Sequence, residues 1–158
     1  MGGMRTEVRI DARRLWGAGI ATAAVAALAG AVEFMFAEGV FDVGLRVRVG
    51  GEMQELTVWI VVIVGFVAGL MATAVLHVFL RLVPRPTLFF GWLAVLALAA
   101  SLLAPLTLPV RPEVKYWLCG MHVAVGVVII ALLLGIAPRV RVEGPARLDT
   151  DDATRRIV

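Results

Sequence analysis

The sequence predicts an all-α membrane protein: a four-helix transmembrane bundle with a short extracellular β-hairpin between helices 1 and 2. Three observations carry this. Of 158 residues, 61% are hydrophobic and only 17% charged, against about half and about a quarter in a soluble domain. Mean hydropathy is +0.94. Four apolar stretches each reach the roughly 20 residues that a helix rising about 1.5 Å per residue needs to cross about 30 Å of hydrocarbon. These features exclude an ordinary soluble enzyme, a disordered chain and a fibrous protein. The single cysteine, Cys119, excludes an internal disulfide framework and a multi-cysteine metal site.

The expected spans are 15–37, 56–80, 88–108 and 116–137. The first holds one charge, Glu33. The others hold none, though the second contains His77 and the fourth His122. Helix is the conformation that satisfies every amide inside lipid without a partner strand. The basic start and Ala27-Leu28-Ala29 of the first span also fit a cleaved signal. Its apolar run exceeds the about 7–15 residues of a signal core, which favours a retained helix.

Basic residues orient the bundle. Arg5, Arg9, Arg13, Arg14, Arg81, Arg85, Arg139, Arg141, Arg147, Arg155 and Arg156 fall on one side, and Arg46, Arg48, Arg111 and Lys115 on the other. The positive-inside rule predicts a plasma-membrane protein with both termini cytoplasmic. Residues 1–14 then form a basic N-terminal stretch, with a short interfacial helix over 5–14. Residues 138–158 form a cytoplasmic tail expected to be disordered, because mixed charges without an apolar period cannot build a core. Trp16, Trp59, Trp92 and Trp117 all fall near predicted boundaries, where indole sits best. The net charge of +3 reads as a membrane-facing collar. No clustered basic face with groove-reading residues points to nucleic acid.

The connections follow. In loop one, Val43, Leu45, Val47 and Val49 alternate with other residues, the period of a strand. Gly50-Gly51 suits a tight turn. Pro84 and Pro86 stop helix between spans two and three. The loop over 109–115 is equally short, so consecutive spans are antiparallel neighbours.

Helices in lipid associate by close packing rather than by burial of apolar surface. Candidate packing residues are Gly19, Ala23 and Ala27 with Ala31 on span one, beside a second stripe of Ala18, Thr22, Ala26 and Gly30. Gly65, Gly69 and Thr73 form a stripe on span two, and Pro105 lies on span three with Ala97 and Ser101. One stripe of span one could serve the bundle and the other a second copy or a larger membrane complex.

Ionisable groups inside spans are functional candidates by default. At about 1.5 Å per residue, Glu33, Ser101 and His122 fall in one layer of the outer leaflet. Pro105 also leaves the Ser101 carbonyl without its helical donor. The layer could hold a ligand head group or pass protons. Equally, Glu33 could pair with Arg46, Arg48 or Arg111, and His122 could bond a carbonyl or Ser101. His77 reads as an interfacial histidine. No metal site, no cofactor and no catalytic residue is predicted: there is no phosphate-binding glycine loop, His-Glu-x-x-His, Cys-x-x-Cys or nucleophile elbow.

The basic start and Ala-rich first span, the Gly50-Gly51 turn, Gly69, Ser101-Leu102-Leu103-Ala104-Pro105-Leu106 and Met121-His122-Val123 together span about 120 residues. In these the chain resembles a family of small four-helix membrane proteins common in actinobacteria, the domain of unknown function 6069. The resemblance implies a four-span bundle and no particular activity. The leading expectation is a non-enzymatic accessory or self-associating component in contact with membrane lipids. The alternative is a lipid- or quinone-binding protein, or a small transporter, using the Glu33–Ser101–His122 layer.

Overall fold

The computed structural model describes residues 7–49 and 52–144. Four helices in it are long and apolar enough to cross a membrane, and the protein is a multi-pass membrane protein built as a four-helix bundle. A strand β1 (Glu7–Ile10) leads into α1 (Ala12–Gly39). Asp11 caps α1: its carboxylate accepts from the Arg14 amide at 3.0 Å, satisfying one of the free donors of the first turn. Strands β2 (Arg46–Val49) and β3 (Glu52–Glu55) precede α2 (Val58–Leu82). Pro86 starts α3 (Pro86–Ser101), where its missing N–H costs nothing. α4 (Leu103–Thr107) completes the third crossing, and α5 (Pro112–Ile136) again begins at a proline. A 3-10 turn η1 (Ala137–Val140) and strand β4 (Arg141–Gly144) follow.

The expected fold class needs correction. It allowed one β element, a hairpin turning at Gly50-Gly51 on an otherwise all-α chain. Residues 50 and 51 lie outside the described residues, so no hairpin turn is assigned there. β2 and β3 do pair antiparallel, Arg46 opposite Glu55 and Val49 opposite Glu52, as a separate two-stranded ribbon. A second antiparallel sheet, absent from the expectation, joins β1 to β4 with Glu7 opposite Gly144 and Ile10 opposite Arg141. Asp11 N–H extends it by donating to the Val140 carbonyl at 3.0 Å. The expected interfacial helix over 5–14 is therefore a strand from Glu7 and a helix only from Ala12. The expected disordered tail begins as a turn and a strand through Gly144, and residues 145–158 lie outside the described residues. The physical reason is range: a four-residue strand is stabilised by its partner, and the partner here lies at the far end of the chain.

The third span also departs from a single continuous helix. Pro105 has no N–H to give the Ser101 carbonyl, and the chain breaks one residue later, at Leu102. The Leu102 amide shares the Leu98 and Ala99 carbonyls, each at 3.3 Å, a bifurcated bond typical of a helix end.

α1 is the central helix, packed along α2 and α5. The α1–α2 seam is a zipper of small residues. Gly19 faces Thr73, Gly69 faces Ala23, and Gly65 faces Ala27, each step of four up α1 matching a step of four down α2. A Cβ at Gly69 would come within 2.6 Å of Ala23 Cα, and one at Gly19 would collide with Thr73 Cγ2. The Thr73 hydroxyl donates back to the Gly69 carbonyl at 2.8 Å, which lets it sit buried against α1. Thr22, Ala26 and Gly30 of the second stripe are buried as well, with Gly30 against Val61 and Val125. Both stripes of α1 are thus consumed inside the bundle.

Two apolar clusters fill the interior. One, at the end bearing β1 and β4, gathers Leu15, Leu76, Phe90, Leu133 and Val140. The other, at the end bearing the β2–β3 ribbon, gathers Phe34, Ala37, Leu45, Val114, Leu118 and Met121. Leu45 is 1% exposed, and its carbonyl accepts from the Leu56 amide at 2.8 Å, seating the base of the ribbon on the helix ends. Asp42 turns the chain there with φ of 52°, a left-handed conformation that aspartate tolerates better than most residues.

Candidate functional site

The third span is the least enclosed of the four, with 6% of its most apolar window buried against 39% for the first. It meets α5 where Leu98 lies over Gly126 and where Gly91 lies beside Leu134. Between them, Ala94 and Ala97 on α3 and Gly65, Ala68 and Ala72 on α2 line a space that no side chain fills. The result is a partly open cavity of about 450 Å³ between α2, α3 and α5. α1 contributes nothing to its wall. A volume of this size falls within the range of small-molecule sites, about 300–1,000 Å³.

Ser101 and His122 are the polar side chains on that wall. Each has already committed one hydrogen. Ser101 Oγ donates to the Leu98 carbonyl at 2.7 Å. His122 Nδ1 lies 2.8 Å from the Leu118 carbonyl. A carbonyl only accepts, so Nδ1 carries the proton, and the neutral ring then keeps an acceptor lone pair on Nε2.

Glu33 is not part of this arrangement. Its side chain lies toward Gly120 of α5, where an added Cβ would be 3.9 Å from Oε2. Gly120 and His122 are two residues apart, about 200° around the helix, so the two candidates address different faces of α5. Glu33 Oε2 is buried with no hydrogen-bond partner. The arginines expected to neutralise it are engaged elsewhere: Arg46 holds Glu55 at 2.7 Å and Arg111 sits 3.7 Å from Glu113. The side chain of Arg48 lies outside the described residues. The Glu–Ser–His layer is therefore replaced by a Ser101–His122 pair on the cavity and a separate Glu33 on the α1–α5 seam. Pro105, buried, lies just past the Leu102 break. Among the described residues no three His, Cys, Asp or Glu side chains gather as a metal site would require.

Two features escaped the sequence reading. Of the cavity-lining alanines, Ala97 reads in the sequence as a close-packing residue beside Ser101, whereas Ala68, Ala72 and Ala94 stand in no pattern that marks a cavity. The Trp16 indole donates to His77 Nδ1 at 3.0 Å, bridging α1 and α2. Its signal was available, since this pair continues the zipper of 19 with 73 and 23 with 69 by about one turn. No curated protein and no solved structure matches the chain. A model of one family of unknown function, DUF6069, matches residues 10–139, which take in every helix from α1 to α5, and the chain belongs to that family.

Proposed function

We propose that this small multi-helix membrane protein works as a non-enzymatic component of the plasma membrane, an accessory subunit of a larger complex or a self-associating protein, with both termini in the cytoplasm. The observation that carries the reading is where its intramembrane hydrogens go. Thr73, Ser101 and His122 each bond a carbonyl of their own helix, and Trp16 bonds His77. Only the Trp16–His77 bond joins two helices; the other three protons are committed within one helix, and protons so committed are poorly placed for relay or for attack on a substrate. The orientation is supported by the arginine excess on the side of residues 5–14, 81–85 and 139–156.

Both stripes of α1 are used internally, so association would run through the lipid-exposed face of α3, where Leu88, Phe89, Trp92 and Leu96 project outward. The test is native mass spectrometry of the full chain released gently from its own membrane. The expected result is a stoichiometric oligomer or complex that dissociates when Trp92 and Leu96 are changed to alanine. A monomer carrying lipid alone would overturn the reading. Single cysteines placed at residues 6 and 150 in a Cys119→Ala background should resist a membrane-impermeant maleimide in intact cells. Labelling there would reverse the topology.

A further inference from the structure

We propose that the cavity between α2, α3 and α5 holds a neutral lipid whose polar end is a hydroxyl, and that this hydroxyl donates to Nε2 of His122. The inference goes beyond the accessory reading and stands independently of it.

The argument runs from the wall chemistry. No Asp, Glu, Lys or Arg lines the cavity, and a charge without a partner at membrane depth is expensive. The buried part of an occupant is therefore uncharged, which excludes a phosphate head group or a metal ion inside. The rest of the wall is apolar, from Ile60 and Val64 to Ile130, and suits a hydrocarbon chain. The cavity is partly open and α1 contributes no residue to its wall, so an occupant can be held without displacing the central helix.

The two polar wall groups then choose the head. The Ser101 proton goes to the Leu98 carbonyl and the His122 Nδ1 proton to the Leu118 carbonyl. What each has left is a lone pair. His122 has no second protein partner among the described residues, and its Nε2 is not among the sealed, unpaired atoms of the interior. A wall that offers only acceptors selects a ligand that offers a donor. A hydroxyl fits. An ester, an ether or an oxidised quinone would bring a lone pair to a lone pair and gain no hydrogen bond at Nε2.

The test uses the full chain in lipid nanodiscs with two probes of nearly equal chain length, oleyl alcohol and oleyl methyl ether, which differ in the donor. The ¹⁵N resonances of His122 report the ring tautomer and any new bond at Nε2, and native mass spectrometry reports retained probe. Oleyl alcohol should shift the Nε2 resonance and be retained about tenfold more tightly than the ether, the scale of one membrane hydrogen bond. His122→Phe, which keeps the ring and removes the acceptor, should bring the alcohol down to the ether. Ala68→Leu, which fills the cavity, should weaken both. Equal retention of the two probes by the unmodified protein overturns the hydroxyl assignment. Retention of neither, or retention untouched by Ala68→Leu, overturns the site. If His122→Phe does not fold, the probe pair and Ala68→Leu still decide.

Discussion

The Trp16 indole N–H and the His77 Nδ1 meet at 3.0 Å, with the rings tilted 51° and their centroids 6.1 Å apart. The bond joins the first turns of α1 to the last turns of α2, at the end where β1 and β4 also pair. It requires a lone pair on His77 Nδ1, so the ring must carry its proton on Nε2, the opposite tautomer to His122. One sequence thus uses its two histidines in two ways: His77 accepts from a neighbouring helix, and His122 donates within its own.

His77→Phe and Trp16→Phe should each lower stability in detergent by about 1 kcal/mol, with the double change costing less than the two single changes summed. Chemical unfolding of the four proteins by circular dichroism measures this. Additive losses would show that the two rings stabilise the bundle separately.

The α1–α2 seam makes a sharper prediction at Gly69, where the close neighbour is backbone. Gly69→Ala drives a methyl to 2.6 Å from Ala23 Cα, and backbone cannot rotate away as a side chain can. The helices must separate, at a cost of about 1–3 kcal/mol. Gly17→Ala is the control, since nothing lies within 4 Å of its added methyl. It should be neutral or gain up to about 1 kcal/mol from helix propensity. Equal effects at the two glycines in a thermal melt would mean that the seam is looser than the 2.6 Å approach requires.

The same seam shows how much was legible. Hydropathy located the four apolar helices because lipid demands continuous apolar length, and the small-residue period marked the faces along which α1 is buried. Counting residues along each span gives an expected depth, and that count sets Glu33, Ser101 and His122 at one level. Azimuth was not legible. Glu33 approaches Gly120 and His122 lines the opposite cavity, a distinction that depends on which helices flank α5. The β1–β4 pairing was hidden for a related reason: a short strand of alternating Val8, Arg9 and Ile10 carries no local sign of a partner beginning at Arg141.

The ion pair on the β2–β3 ribbon should matter little despite its geometry. Arg46 Nη2 approaches Glu55 Oε1 at 2.7 Å, with both side chains more than 60% exposed. Water screens the attraction and ordering two long side chains offsets the remainder. Arg46→Ala should change the unfolding midpoint by no more than about 0.5 kcal/mol equivalent. A larger loss would show that the β2–β3 ribbon depends on this pair rather than on Leu45 beneath it.

Glu33 gives the opposite expectation from that of a paired residue. A buried oxygen without a partner costs free energy whenever the chain is folded, and Oε2 has none. Glu33→Met keeps the length of the side chain and removes the polar atoms, so it should raise stability by about 1–3 kcal/mol. His122→Phe should lose about 1 kcal/mol with its carbonyl bond. Because the two side chains share no hydrogen-bond partner, combining the changes should sum to within about 0.5 kcal/mol. A Glu33→Met protein less stable than the parent would mean that the carboxylate is held by a group outside the described residues, such as the Arg48 side chain. A Glu33→Met, Arg48→Ala pair that is no worse than Glu33→Met alone would then identify that group.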